Sequence, residues 1–280
     1  MDELSLSVSE KFISGYHDVN PGITSEAFHD LVVFKGNDQF SSTYQCLLNL
    51  VDKDLNHSSV LDLACGDGFL LSQLATQKQS ALNLFGIDIS RGELAAAEKR
   101  LGDSATLLYS KSQSLKFADN SFDIVLCHMA LMLMEDVDEV LLEVQRVLKQ
   151  GSVFSAIIGA KSPLPACLKS FGSFFCQYNR KTELESVRFG DSRISSDEGI
   201  RELFGEHFKD LEIENLVNKR RYTAAELWAW FSGMYDLHLL DEVDFAEIKS
   251  RFISSVEAHL DADGKIEYVI NFKQITATAI

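Results

Sequence analysis

The sequence has no uninterrupted apolar run of membrane-spanning length, so we expect no membrane partner. Its first residues, MDELSLS, are acidic and lack the apolar segment of a signal peptide, and we therefore expect a cytoplasmic protein. The five cysteines are widely spaced and form no C-x-x-C pair, which disfavours a zinc site or a redox motif. We expect reduced thiols and no bound metal.

Positive charge is also scarce. The chain has 26 Lys and Arg against 42 Asp and Glu, a formal net charge of −16. A field of this sign repels phosphate backbones, so a nucleic-acid partner is not expected. The one basic cluster, Lys219-Arg220-Arg221, is interpreted as a solvated strand end. The same field favours a neutral or cationic small-molecule ligand over an anionic one.

Residues 60–71, VLDLACGDGFLL, are predicted to form a buried strand, a tight turn and the start of a helix. Gly66 and Gly68 allow the turn to approach a ligand closely. Free N–H groups at the start of a helix point towards whatever is bound there. This stretch therefore indicates a nucleotide-sized binding site.

Strands and helices alternate around this turn. Strands are predicted at 60–63, 81–89, 105–109, 122–127, 153–158, 211–217 and 266–279, with helices at 67–78, 90–101 and 137–148 between the first five. The alternation predicts an α/β fold with a mostly parallel sheet and helices on both faces. Ligands of such sheets bind beyond the carboxyl ends of the strands, where the strand order reverses. The glycine turn and Asp88 both follow strands there.

We predict a single domain over residues 1–280. Residues 1–50 are expected to form an N-terminal helical lid, and residues 51–160 the cofactor-binding core. Residues 161–197 are predicted as a cap insertion, and residues 198–280 complete the sheet around a helical insertion at 222–262. Aromatic residues of the two insertions either line an apolar ligand pocket or pack as ordinary core: Phe171, Phe174, Phe175, Tyr178, Trp228, Trp230, Phe231 and Tyr235.

Asp88 lies 22 residues after Gly66, where an acid can accept hydrogen bonds from both ribose hydroxyls of an adenine nucleoside. The same geometry serves NAD-dependent oxidoreductases. Leu71, however, occupies the position of the third glycine in the dinucleotide fingerprint. Asp62 lies inside the first strand, where a carboxylate is costly without partners, and it suits a ligand that carries an ammonium group. These two residues favour S-adenosylmethionine over NAD.

Four motifs carry a resemblance to a known family: VLDLACGDG at 60–68, GIDIS at 86–90, LKFADNSFD at 115–123 and EVQRVLKQGS at 143–152. In this order they resemble those of the class I S-adenosylmethionine-dependent methyltransferases, in the small-molecule branch that includes ubiquinone-type and natural-product enzymes. The resemblance implies a Rossmann-like, doubly wound sheet of seven strands with an antiparallel last strand. It also implies methyl transfer from S-adenosylmethionine to a small organic acceptor at O, N or C.

The resemblance further implies roles for individual residues. Backbone at Ala64, Gly66 and Gly68 would hold the methionine part, with Asp88 on the ribose and Ile89 on the adenine face. Ser112 and Gln113 would contact the adenine edge, Cys127 and His128 would line the methyl end, and Tyr16 would close over the cofactor or pack in the core. Lys111 stands where an aspartate often contacts the adenine amino group.

Methyl transfer can proceed by positioning and desolvation, so a general base is not required. His128 is the best-placed candidate base, or a histidine packed beside the cofactor without a catalytic role. His17, His29 and His238 are expected at the surface or with ordinary partners. Two alternatives remain open: an NAD-dependent oxidoreductase, and a non-catalytic S-adenosylmethionine-binding protein on the same fold.

Overall fold

Strands and helices alternate in the structure, a computed structural model, as the hydrophobic pattern predicts. The structure describes residues 4–51, 58–76, 82–165, 167–169, 187, 189–233, 235, 237 and 240–280. The helices are α1 Val8–Val19, α2 Ile23–Phe28, α3 Thr43–Leu48, α4 Phe69–Thr76, α5 Arg91–Leu101, α6 Val137–Val147, α7 Asp197–Gly205, α8 Ala224–Ser232 and α9 Glu242–Glu257. The strands are β1 Val33–Lys35, β2 Asp38–Phe40, β3 Ser59–Leu63, β4 Asn83–Asp88, β5 Thr106–Tyr109, β6 Phe122–His128, β7 Leu148–Ala160, β8 Phe208–Tyr222 and β9 Ile266–Ala279.

The described strands form one sheet in the order β2-β1-β8-β9-β7-β6-β3-β4-β5. The pairs β5–β4, β4–β3, β3–β6 and β6–β7 are parallel, as predicted. The described sheet has nine strands, so the count of seven was wrong. The two strands outside the prediction, β1 and β2, form a short antiparallel hairpin within the segment predicted as a helical lid. Gly36, at φ +59°, permits the two-residue turn that joins them.

β3 lies at the centre of the parallel part of the sheet and positions the site. The chain passes from β3 to β4 on one side and later returns to β6 on the other, so the strand order reverses beside β3. Leu61 and Leu63 of this strand are fully buried and belong to a core shared with α6 and α7. The carboxyl ends of β3, β4 and β6 therefore meet at the switch point where a ligand site is expected.

The chain divides into two compact units. The first comprises Met1–Ala160, Phe189–Leu216 and Phe272–Ile280, and the second comprises Lys161–Arg188 and Val217–Asn271. In the first unit, Phe154 of β7 stacks on Phe204 of α7 with ring centroids 5.9 Å apart. None of the described helices combines the length and the apolar character needed to cross a membrane.

Aromatic side chains form the core of the second unit. Trp228 of α8 packs edge-on against Phe252 of α9 at 5.3 Å, and Phe231 lies 5.8 Å from Tyr268 of β9. A role of these rings in an acceptor pocket stays a prediction. The first aromatic group of the predicted cap, Phe171, Phe174, Phe175 and Tyr178, and also His238, lie outside the described residues.

The basic cluster forms the exposed end of β8, as predicted, and its charges have acidic partners. Lys219 pairs with Glu267 at 3.0 Å, and Arg221 pairs with Asp261 and Asp263.

Arg146 of α6 joins the third and fourth sequence motifs. Its guanidinium donates to the backbone oxygens of Leu115 and Phe117 at 3.0 and 2.8 Å. It also pairs with Glu143 and Asp119, each at 2.7 Å. The hydrogen bond from Arg146 lowers the pKa of Glu143, whose carboxylate also accepts the Leu115 N–H. These two motifs thus hold the segment after β5 on α6 and have a structural role here.

We expect Arg146→Lys to lower the free energy of unfolding by about 2 kcal/mol. A lysine ammonium is a single point charge and cannot reach two carbonyls and two carboxylates with the planar fork of a guanidinium. Urea titration measures the change. Arg201→Lys, on an exposed position of α7, is the matched control and should change stability by less than about 0.5 kcal/mol. Equal effects of the two variants would contradict this role for Arg146.

Candidate functional site

A cavity lies at the carboxyl ends of β3, β4 and β6, and most of the predicted site residues converge on it. Those that line it are Asp62, Ala64, Gly66, Asp88, Ile89, Ser112, Gln113 and His128. Gly68, Cys127 and Tyr16 are not among its described lining residues. Other parts of its wall come from α1, α2, α3 and the segment after β6.

The turn after β3 has three residues in the left-handed region, Ala64 at φ 60°, Gly66 at φ 53° and Gly68 at φ 74°. A Cβ on Gly68 would also crowd α5, since it would lie 2.7 Å from the Leu101 side chain and 3.1 Å from the Ala97 Cβ. An alanine at φ 60° carries strain of about 1 kcal/mol, which the surrounding structure sustains. The turn thus presents Gly66 to the cavity while Gly68 fits the turn against α5.

Asp88 ends β4 with both carboxylate oxygens fixed by backbone donors. The Gly66 N–H donates to Oδ2 at 2.9 Å and the Ser90 N–H donates to Oδ1 at 2.8 Å. Burial raises the pKa of this carboxyl to about 6, although the two backbone hydrogen bonds and His17 oppose the rise. Asp88 therefore holds the glycine turn and keeps lone pairs for a ligand.

Asp62 projects from β3 into the same cavity and is 2% exposed. Its Oδ1 has no hydrogen-bond partner in the part of the chain that the structure describes. Burial, and then the negative charges of Asp88 and Asp67, raise the pKa of Asp62 well above its usual range. A buried carboxyl oxygen without a partner is costly, and a hydrogen-bond donor or a cation in the cavity would remove that cost.

Two further buried carboxylates, Asp67 and Glu93, line the cavity and are not among the predicted site residues. Asp67 accepts a hydrogen bond from Ser25 at 2.7 Å and pairs with Arg100. Glu93 accepts from the Gly22 N–H at 2.9 Å. The spacing of Ser90 and Glu93 predicts a reciprocal capping box. The Ser90 hydroxyl accepts the Glu93 N–H, but the Glu93 side chain does not accept the Ser90 N–H in return. The Glu93 carboxylate turns towards the cavity instead.

His17, predicted to be a surface residue or one with ordinary partners, lies on the cavity wall and contacts Glu93 through Nδ1 at 2.8 Å. The contact joins residues 76 positions apart, which no local pattern reveals.

Helix α1 is attached to the cavity wall by its polar side chains. Ser14 donates to the Ile89 backbone oxygen at 2.9 Å. Asp18 accepts from the Ser90 hydroxyl at 2.7 Å and from the Gly92 N–H at 2.9 Å. These bonds connect the first helix to the end of β4 and the start of α5, so α1 forms one side of the site.

Lys111, which stands where the family often has an aspartate, also contacts α1. Its ammonium lies 2.7 Å from the Glu10 carboxylate. Gln113 donates to the same carboxylate at 3.3 Å and to the Glu135 backbone oxygen at 2.8 Å. An ion pair with α1 thus stands at the position where an aspartate often occurs.

His128 ends β6 with its ring held by neighbours. Nε2 lies 2.8 Å from the Thr43 hydroxyl, and the ring stacks on Tyr44 with centroids 3.7 Å apart. Burial lowers the pKa of His128 to about 3, so the imidazole is neutral near pH 7. A neutral ring with so low a pKa is a weak proton acceptor and a competent hydrogen-bond group.

Cys127 and Tyr16 are buried and are not among the described residues that line the cavity. Cys127 is fully buried in the hydrophobic core, where burial raises its thiol pKa to about 12. Successive side chains of a strand face opposite sides, so His128 and Cys127 cannot both face the same way. Tyr16 is buried with its ring edge-on to His17 at 5.2 Å.

Comparisons with known proteins find similarity to methyltransferases. Residues 61–156 match the family model described as methyltransferase domain. The demethylmenaquinone methyltransferase of Symbiobacterium thermophilum is 34% identical over 107 residues, 36% of this chain and 43% of that protein. The enzyme of the same name from Lactobacillus johnsonii is 29% identical over 141 residues, 49% of this chain and 58% of that protein. The chain spans about half the length of these curated relatives.

Solved structures share the fold at low sequence identity. Phosphoethanolamine N-methyltransferase 2 of Haemonchus contortus, in complex with S-adenosyl-L-methionine, aligns with a TM-score of 0.58 at 20% identity and covers 98% of this chain and 60% of its own. The [4+2]-cyclase SpnF aligns at 0.56 with 17% identity over 99% of both chains. The comparisons confirm the methyltransferase resemblance that the four motifs indicate and the mixed α/β fold.

Proposed function

We propose that this chain, in which residues 61–156 carry a methyltransferase domain, uses S-adenosylmethionine to methylate a small organic acceptor at O, N or C. One observation carries the proposal. At the strand switch point the glycine turn is hydrogen-bonded to Asp88, and Asp62 leaves a buried carboxyl oxygen without a partner in the described part of the chain. Such a site fits a ligand that presents ribose hydroxyls to one acid and a cation to the other.

Different residues bind different parts of S-adenosylmethionine. Asp88 binds the ribose hydroxyls, Ile89 packs on the adenine, and Ser112 and Gln113 contact its edge. S-adenosylmethionine supplies an electrophilic methyl group on a positively charged sulfur. The backbone at Ala64 and Gly66 holds the methionine part, and Asp62 faces its ammonium group. Cys127 and Tyr16 pack in the buried core, and Gly68 lets the turn lie on α5.

The same residues set the chemistry of the acceptor. The carboxylates that line the cavity disfavour an anionic acceptor and suit a neutral or cationic one. Ile13, Met129, Leu133 and Met134 add an apolar wall, so the acceptor is partly apolar. The chain promotes transfer by holding the acceptor in line and by excluding water. Its partners are small molecules, and nucleic acid is not one of them.

Segments around the site have supporting roles in this proposal. Residues 1–50 serve as a lid through α1, and β9 runs antiparallel to its neighbours. In this proposal the protein is a cytoplasmic enzyme of the small-molecule branch of the class I methyltransferases.

A second function has one observation in its favour. The neighbour SpnF, which shares the fold, is named a cyclase, so this fold also supports chemistry other than methyl transfer. A protein that binds S-adenosylmethionine without using its methyl group is therefore the second candidate. An NAD-dependent oxidoreductase is not favoured, because Leu71 occupies the third glycine position and is fully buried.

Calorimetry followed by turnover separates these functions. We expect S-adenosylmethionine to bind and NAD not to bind. The acceptors to test are a short-chain demethylmenaquinone analogue, which is neutral and apolar, and phosphoethanolamine, which is anionic at its phosphate. Mass spectrometry should detect a methylated product from the first class. NAD binding alone would overturn the proposal, and cofactor binding without transfer to any neutral or cationic acceptor would support the second candidate.

The affinity for S-adenosylmethionine should rise with pH through about 6. Burial places the pKa of Asp88 at about 6, and only the ionised carboxylate accepts both ribose hydroxyls well. The ionised fraction grows about tenfold between about pH 5 and pH 7, so affinity should rise by a similar factor and then level off. Asp88→Asn should flatten this dependence, and an unchanged slope in that variant would contradict the assignment.

A further inference from the structure

His128 is held by three side chains on one side of the cavity. Thr43, the first residue of α3, is fully buried and contacts Nε2 at 2.8 Å. Tyr44, the next residue, stacks on the ring at 3.7 Å and 20°. Phe28 of α2 meets the ring edge at 5.7 Å. The imidazole has little rotational freedom, and the start of α3 fixes its orientation.

The other ring nitrogen is unused. Nδ1 is buried and has no hydrogen-bond partner among the residues that the structure describes, whereas His128 lines the cavity. A buried polar atom without a partner is uncommon in a folded protein and often marks a place for a ligand. Nδ1 is thus the atom of the ring that remains for a bound molecule.

The two neutral tautomers of His128 leave different numbers of buried groups without a hydrogen-bond partner. If the Thr43 hydroxyl donates to Nε2, the proton resides on Nδ1 and a single donor is left for a ligand. If Nε2–H donates to Thr43 instead, the threonine hydrogen and the Nδ1 lone pair both lack a partner among the described residues. A buried polar group without a partner destabilises the folded protein. The first arrangement leaves one such group, and the second leaves two.

We infer that Thr43 is a positioning residue that keeps the proton of the His128 ring on Nδ1, and that this N–H donates a hydrogen bond to an oxygen of the methyl acceptor. The acceptor is then a partly apolar, uncharged molecule with a carbonyl or hydroxyl oxygen near the methylated atom. The inference rests on the proposed function and changes the role of His128 from candidate base to hydrogen-bond donor. No proton transfer to the ring is required.

The chemistry of the cavity supports this class of acceptor. Asp62, Asp67, Asp88 and Glu93 supply carboxyl groups, which serve donors and cations. An N–H donor to an acceptor oxygen comes from His128, at the end of β6. The apolar residues after β6 that line the same cavity, Met129, Leu133 and Met134, can contact the rest of the molecule.

Nitrogen-15 NMR of protein labelled at histidine tests the tautomer without any cofactor. We expect the His128 signals to show a protonated Nδ1 and an unprotonated Nε2. Thr43→Val should shift the ring towards the Nε2–H form, and Thr43→Ser should restore the original pattern. Thr106→Val, at an exposed position of β5, is the matched control and should leave it unchanged. A protonated Nε2 in the unsubstituted protein would overturn the inference.

Two probes of nearly equal shape test the ligand assignment in protein saturated with S-adenosylhomocysteine. Acetophenone carries a carbonyl oxygen, and α-methylstyrene carries a methylene group in its place. Acetophenone should move the Nδ1–H resonance and bind about five- to tenfold more weakly to Thr43→Val, the weight of one neutral hydrogen bond. Equal responses to both probes, or none to acetophenone, would overturn the assignment.

Calorimetry with S-adenosylhomocysteine keeps the two proposals apart. If the unsubstituted protein does not bind S-adenosylhomocysteine, the proposed function is contradicted. The tautomer of His128 is measured without any ligand and is therefore decided separately. Thermal unfolding of Thr43→Val, compared with Thr43→Ser, shows whether the variant is folded. If Thr43→Val does not fold, the tautomer of the unsubstituted protein and its response to the two probes decide the inference.

Discussion

Asp88→Ala should weaken the binding of S-adenosylmethionine by at least about 100-fold. A carboxylate offers about four lone-pair positions, and the N–H groups of Gly66 and Ser90 use two of them. The remaining positions accept the ribose hydroxyls, and each hydrogen bond to a charged group contributes about 1.5–3 kcal/mol. The substitution also frees the glycine turn from β4. Calorimetry measures the loss.

The fold should survive this substitution. Burial raises the pKa of Asp88, which means that its ionised form is unfavourable in the free protein, so its removal does not destroy a stabilising charge. Asp103→Ala removes the same charge from an exposed position and should leave the affinity unchanged. A loss of affinity below about threefold in Asp88→Ala would contradict the ribose role.

Gly92→Ala should displace the end of α1 and weaken cofactor binding by about tenfold. A Cβ on Gly92 would lie 2.5 Å from the backbone oxygen of Asp18 and 2.6 Å from its Cα, and backbone atoms cannot rotate away. The Asp18 carboxylate would then lose its bonds to Gly92 and Ser90, which contribute about 1–3 kcal/mol together. Calorimetry gives the affinity, and limited proteolysis reports the release of α1.

Gly15→Ala is the matched control because it makes the same chemical change within α1. Gly15 is exposed, and an added Cβ would have no neighbour within 4 Å. Alanine favours a helix interior over glycine by about 0.5–1 kcal/mol, so this variant should be slightly more stable with unchanged affinity. Similar proteolysis of the two variants would mean that the Gly92–Asp18 contact does not hold α1 on the site.

Local patterns in the sequence located the centre of the site. The glycine turn follows directly from a buried strand, and Asp88 ends the next one, so strand alternation and spacing are sufficient to bring them to one edge. The methyltransferase motifs are local for the same reason, since each comprises a strand or helix end and the residues beside it.

The remaining walls depend on contacts between distant parts of the chain. Thr43 reaches His128 across 85 positions, and Gly22 reaches Glu93 across 71. Neither Thr43 nor Gly22 belongs to a sequence motif that predicts a ligand site. The β1–β2 hairpin was also missed, because strands of three residues are too short for alternation to be recognised.

The hairpin has a further consequence for the sheet. β8 is 15 residues long, and beyond it the sheet continues only with the three-residue strands β1 and β2 among the described elements. A long unpaired edge would recruit strands from other molecules and promote aggregation, whereas a very short terminal strand offers little to pair with. The exposed charges of Lys219, Arg220 and Arg221 disfavour intermolecular pairing at the carboxyl end of β8. The short hairpin covers part of the β8 edge, and the charges make the end of that strand a poorer template for intermolecular sheets.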